Sequence, residues 1–193
     1  MPKRRVKPVP WELLSERMVI TPSMGRRMKR LHAAGSAEVL AQFDPSAGPQ
    51  DVFYALPGAS VAAFSLERLD EAETLARRSL SLASEFVGNW NHGNALHAGH
   101  TVLGLVALRR GDTAKAVAEL QASAKHAGSP QLASFGPSMQ LAKELLRRGL
   151  KAEVLDYMEQ CRAFWKQGEL WLHIWSQKVR RGVIPNCVAH TYR

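Results

Sequence analysis

The chain has 193 residues, 46% of them hydrophobic, and 26 Lys and Arg against 17 Asp and Glu give a formal net charge of +9. That length and apolar content suit one folded domain with a small appendage and exclude a disordered chain. The longest apolar run, Thr101–Leu108, is far shorter than the ~20 residues needed to cross a bilayer. The amino terminus, MPKRRVKPVPWELL, begins like a basic signal region, but no apolar stretch follows and Pro8 and Pro10 sit where one would start. Cys161 and Cys187 form neither a disulfide framework nor a metal knuckle. Cys161 falls on an apolar helical pattern and is expected to be buried, whereas Cys187 sits in the tail and is open to exposure. A reducing, cytoplasmic setting is the expectation.

The charge is unevenly placed. Residues 1–31 carry nine Lys and Arg against Glu12 and Glu16, a balance of +7, and the remaining 162 residues carry only +2. Residues 1–50 therefore read as a basic arm with one or two helices. Thr21 as N-cap with Pro22 at the first helical position is a sound helix start. The stretch LSERMVITPSMGRRMKRLHAAG (14–35) resembles the helix-turn-helix of bacterial DNA-binding regulators. That resemblance implies a recognition helix opened by Thr21-Pro22-Ser23, with Arg26, Arg27, Lys29 and Arg30 reaching phosphates and base edges. Val19 departs from it where the motif turns on glycine, and no wing of alternating strand follows. The plainer reading is a basic amphipathic helix leading into the body.

The body, 51–182, repeats itself. ALRRGDTAKAVAELQAS (107–123) and LLRRGLKAEVLDYMEQC (145–161) align without gaps at an offset of 38, and a third Arg-Arg-Gly ends at Gly182, 33 residues after Gly149. Glycine just past a helix accepts the left-handed backbone of the C′ position, and arginines in the last turn complement the negative helix end. Matched helices on both sides indicate a repeated helix–turn–helix unit whose apolar face only the next unit can cover. Gly104, Ala107 and Ala116, then Ala142 and Ala152, permit close approach of the paired helices.

LGLVALRRGDTAKAVAELQASA (103–124) resembles a tetratricopeptide repeat through Leu103, Gly104, Gly111, Asp112, Ala116, Leu120 and Ser123. A weaker copy has Leu141, Ala142, Gly149, Val154, Met158 and Cys161. The weakest, SVAAFSLERLDEAETLARRSL (60–80), keeps Ala72, Ala76 and Ser79 but lacks the turn glycine. The unit spacings of 44 and 38 exceed the family period of about 34, so loop residues such as GSPQLASFGPS (128–138) must bulge between units. The resemblance implies an all-α, right-handed solenoid of helical hairpins, capped by a C-terminal helix at 168–181 and followed by a tail at 183–193. In FWKQGELWLHIW (164–175), Trp171 and Trp175 lie four apart, which suits a packed terminal helix better than a base-stacking surface.

The stretch NWNHGNALHAGH (89–100) puts three histidines and three asparagines in twelve positions. Gly93 and its asparagines read as capping material, so a helix is expected from about Asn94, with His92 in the entrance loop. His92, His97 and His100 lack a carboxylate or cysteine among them and a His-Glu-x-x-His pattern, so a metal is not expected. Asn94 and His97 are instead expected as polar contacts in a groove.

In that family the first helices line a concave face, and the alignment places Ala98, Thr101, Leu105, Leu108 and Arg109 on it from one unit. Met139, Lys143, Leu146 and Arg147 follow from the next. Such a face suits an extended or helical peptide bearing acidic groups or a C-terminal carboxylate. No nucleophile elbow, phosphate loop, dinucleotide fingerprint or carboxylate pair is present, so neither catalysis nor a cofactor is expected. The expected function is a cytoplasmic adaptor binding a protein or peptide, away from any membrane. The alternative is a nucleic-acid-binding regulator acting through the basic arm.

Overall fold

The computed structural model describes residues 10–191. Among them the chain forms ten α-helices and no β-strand, each helix packed on its neighbours. In chain order these are α1 (Trp11–Glu16), α2 (Pro22–Gln42), α3 (Pro49–Ser65), α4 (Leu69–Glu85) and α5 (His92–Arg109). They are followed by α6 (Thr113–Ala122), α7 (Pro130–Phe135), α8 (Gln140–Arg147), α9 (Lys151–Cys161) and α10 (Glu169–Arg180).

Three antiparallel hairpins, α3–α4, α5–α6 and α8–α9, turn in the same way. Gly111 and Gly149 stand at φ 84° and 86°, and the following N–H reaches back to a carbonyl inside the helix: Asp112 to Ala107 at 2.9 Å, Leu150 to Leu145 at 3.1 Å. This is the Schellman ending, which satisfies carbonyls that a helix terminus leaves free. Gly182 repeats it, with Val183 N–H on the Lys178 carbonyl at 2.9 Å. The first hairpin makes the turn without glycine. Glu67 adopts φ 59°, and Arg68 N–H donates to the Ala63 carbonyl at 3.0 Å.

The middle hairpin is the hub of the packing. In α5, 13 of 18 residues are buried, because α4, α6, α3 and α8 all pack against it. Two missing side chains make this possible. A Cβ at Gly99 would sit 2.8 Å from Leu80 of α4, and one at Gly104 would sit 2.3 Å from Leu141 of α8. Pro57 lies inside α3 and cannot donate to the Phe53 carbonyl, which the side-chain amide of Asn91 approaches instead at 3.4 Å.

The two ends of the chain meet. Glu16 has a side chain only 3% exposed; it accepts hydrogen bonds from Trp175 Nε1 (2.8 Å), Asn186 N–H (2.9 Å) and Cys187 N–H (3.1 Å), and pairs with Lys178. Burial alone pushes its carboxyl up, but Lys178 and the three N–H donors outweigh that and hold it below the usual value. The segment 183–191 is thus a packed element, and Cys187, which its place in the tail left open to exposure, is buried. Trp171 and Trp175 of α10 are buried against Trp165 and His190, out of reach of any base.

Glu67→Gly is expected to raise stability by about 1 kcal/mol, because relief of the left-handed backbone exceeds the loss of an exposed ion pair. Urea unfolding at neutral pH reads this directly, and a lower midpoint contradicts it.

Candidate functional site

The asparagine–histidine stretch joins three parts of the chain. Helix α5 starts at His92, two residues earlier than its sequence suggests, with Asn91 at the N-cap position and Asn89 Oδ1 accepting the Asn91 N–H at 2.8 Å. Gly93 is not turn material. It lies inside the helix, and a Cβ there would sit 2.1 Å from the Gly128 carbonyl, so its absence lets the 128–138 loop seat directly on α5. Asn94 holds the loop's entrance, accepting from Ser129 Oγ at 2.6 Å and donating to Gln131 Oε1 at 3.1 Å.

His97 holds the loop's exit. Ser138 N–H donates to its Nε2 at 2.9 Å, so Nε2 carries no proton and Nδ1–H faces the Ser123 carbonyl at 2.9 Å. His126 approaches the same carbonyl through Nε2 at 2.9 Å and accepts the Gly128 N–H on Nδ1. Ser123 ends α6, so two neutral imidazoles cap that helix. Burial drives the His97 pKa down to about 4, and burial also lowers His126.

The rest of the loop is fixed as well. Tyr157 Oη donates to the Ser138 carbonyl at 3.1 Å. Gly136, at φ 80°, lies against the Trp165 indole where a Cβ would stand 2.4 Å from the ring. The tail closes the far side through Met139 N–H, which donates to the His190 carbonyl at 2.6 Å. The His190 ring sits about 5 Å from the Trp165, Trp171 and Trp175 rings, and burial lowers its pKa to about 4.

Together these pieces enclose a cleft of about 410 Å³. Its floor is Pro57, Gly58 and Val61 of α3 with Asn94, His97 and Ala98 of α5; its walls are Leu132 and residues 135–138 on one side and residues 189–191 on the other. Among the described residues no Asp, Glu, Lys or Arg lines it. Past Gly58 and Val61 it runs into a second cleft of about 370 Å³ beneath Leu31 and Val39 of α2. Three large apolar side chains line these clefts in the open: Leu31 is 63% exposed, Val39 43% and Phe135 75%. Clustered exposed apolar groups of this kind mark contact surfaces.

The residues singled out from the sequence divide among different places. Asn94, His97 and Ala98 line the cleft. Thr101, Leu105, Leu108, Leu146 and Met139 are buried between hairpins, because the loop, the tail and α8 close over the face that a regular stack leaves open. Arg109 pairs with Glu67 at 2.9 Å and lies over the Phe64 ring at 5.4 Å, beside a further cleft of about 340 Å³ that Lys29 also lines. Lys143 donates to the Asn186 carbonyl and so holds the tail, and Arg147 pairs with Glu144. Arg26, Arg27, Lys29 and Arg30 are exposed on α2. His100 binds Glu119 at 2.8 Å, and among the described residues no three His, Cys, Asp or Glu side chains gather as a metal-ligand set. Burial raises the Cys161 thiol to about 12 and raises Cys187 too.

Sequence reading passed over Phe135, Gly58, Leu31 and the 189–191 segment. A lone phenylalanine in a loop of small residues was the available signal. Compared with known proteins, the chain matches no family model, no curated protein and no solved structure.

Because His97 is neutral when folded and has an ordinary value of 6.5 when unfolded, the folded state binds fewer protons below that pH. Stability is therefore expected to be full above about pH 6.5 and to fall as pH drops toward 4, by on the order of 3 kcal/mol from this group. His97→Phe should cost about 2 kcal/mol at pH 7 by orphaning Ser138 N–H, and should flatten that pH dependence. Chemical unfolding across this range checks both, and an unchanged slope in the variant contradicts the assignment.

Proposed function

We propose that the protein is a non-enzymatic adaptor built as a right-handed, tetratricopeptide-like solenoid closed by α10, and that it holds an apolar segment of a partner protein in the cleft over α3 and α5. Support for the solenoid comes from three hairpins sharing one turn geometry at spacings of 44 and 38, and from first helices that pack on one another, α3 on α5 and α5 on α8. The observation that carries the function is a cleft with no charged side chain among the described residues that line it, and with Leu31, Val39 and Phe135 standing open around it. Asn94 and His97 are satisfied inside the protein, so the partner's contribution is apolar surface, one or two aromatic or branched side chains on a helix or extended peptide.

The same geometry argues against catalysis. Both nitrogens of His97 are committed, and both thiols are buried and held protonated. The two free, buried cysteines fit a cytoplasmic setting, and no helix among the described residues is long and apolar enough to cross a membrane.

Gly58 allows the cleft to be filled without disturbing the core. A Cβ at Gly58 meets nothing closer than Val39 at 4.0 Å, and Gly58→Leu also removes a helix-interior glycine worth about 1 kcal/mol. In a tagged pull-down from host lysate with nuclease present, the unmodified chain is expected to retain a stoichiometric protein. Gly58→Leu should lose it with helical content unchanged, and Arg147→Glu should keep it. Retention by the filled cleft would sink this reading.

A further inference from the structure

We infer that the exposed face of α2 is a sequence-independent contact for the phosphate backbone of nucleic acid, separate from the apolar cleft. The first observation is a contrast in pairing. The arginines at the hairpin ends are tied to carboxylates: Arg109 to Glu67, Arg110 to Asp70 and Glu73, Arg147 and Arg148 to Glu144. Arg110, after Arg77, helps to hold Glu73 down at about 2. On α2, Arg26, Arg27, Lys29 and Arg30 are all exposed, and among the described residues no carboxylate lies within ion-pair reach of any of them.

The second observation is their arrangement. Arg26, Lys29 and Arg30 stand at i, i+3 and i+4 on one side of the helix, with Ala33 continuing the line and Arg27 flanking it. They occupy about 6 Å of helix axis. Like charges at this spacing repel and weaken the helix by a few tenths of a kcal/mol per pair, and nothing within the described chain offsets that. A duplex offers one negative charge per about 1.7 Å of its axis, so a single surface can neutralise all four cations at once.

The third observation separates nucleic acid from an acidic bilayer. A helix that lies in a membrane interface needs a free apolar face opposite its cations. The opposite side of α2 is not a free face, because it packs on α3: His32 bonds Ser65 Oγ at 2.9 Å, Met28 lines the cleft against Phe64, and the partly open Leu31 and Val39 line the cleft over Gly58 and Val61. Helix α1 packs on α10 and the C-terminal turn, where Glu16 is anchored, and the short helix that a helix-turn-helix lays across its recognition helix is engaged elsewhere. The contact is therefore to phosphates rather than to base edges. Lys3, Arg4, Arg5 and Lys7 lie outside the described residues and add charge to the same arm by sequence.

The test is fluorescence anisotropy with a labelled duplex DNA and an RNA of equal length, using the full chain across a salt series. Four phosphate contacts predict a log–log salt slope near −3.6, a loss of about 100-fold in affinity between about 50 and 200 mM salt. The triple variant R26E/K29E/R30E should bind at least about tenfold more weakly at low salt and lose roughly three units of slope. The same charge change at Lys125, Arg180 and Arg181, also exposed, should have a much smaller effect. Circular dichroism should show equal helical content in both variants. Undiminished binding by the α2 variant, an equal loss in the control variant, or retention on phosphatidylserine vesicles with none on nucleic acid would each overturn the proposal.

Discussion

After each first helix the chain places one residue in the left-handed conformation, and most of the architecture depends on that step. The turn takes three residues and is closed by a backbone bond into the helix just finished, so the next helix has no choice but to run back alongside it. At residues 67, 111 and 149 this yields three hairpins of one geometry. Each hairpin leaves an apolar face that only its neighbour covers. The closeness of that cover is set by absent side chains, Gly99 toward α4 and Gly104 toward α8. Helix α5 becomes the buried axis for this reason rather than from any unusual helix propensity.

The candidate site arises where this regularity is broken. Between α6 and α8 the chain carries the 128–138 loop, and beyond α10 it carries a segment that returns to the α8 entrance instead of forming a fourth second helix. Both irregular pieces are held by unusual polar groups on regular elements. Pro57 releases a carbonyl that Asn91 approaches, and His97 spans from the end of α6 to the end of the loop. The polar stretch 89–100 thus turns its hydrogen bonds inward and leaves the cleft it supports apolar. His97 acts as a neutral bridge between backbone groups.

How much of this was legible depended on how local its cause was. The Arg-Arg-Gly turns and the spacings of 44 and 38 could be read because glycine chemistry acts within three residues. Glu67 could not, since no residue type announces a left-handed glutamate; only alignment with Gly111 points to it. Leu105 and Thr101 read as surface because the helices that bury them come from other hairpins, distant along the chain. The bonding of His97 was equally hidden, its partners being backbone atoms of Ser123 and Ser138, 26 and 41 residues away. The cations of α2 were plain in the sequence because charge needs no fold to declare itself. Their lack of partners needed the structure.

The central claim is that the 128–138 loop is a fixed wall of the cleft rather than slack between repeats. Amide hydrogen exchange measures this most directly. The N–H groups of Leu132, Ser138 and Met139 are each bonded, to Ser129 Oγ, His97 Nε2 and the His190 carbonyl. They should exchange at rates approaching those of Val102 and Leu103 in the middle of α5. Exchange at the rate of the open turn around Gly88 would contradict the account, because the cleft would then lack the wall that defines it.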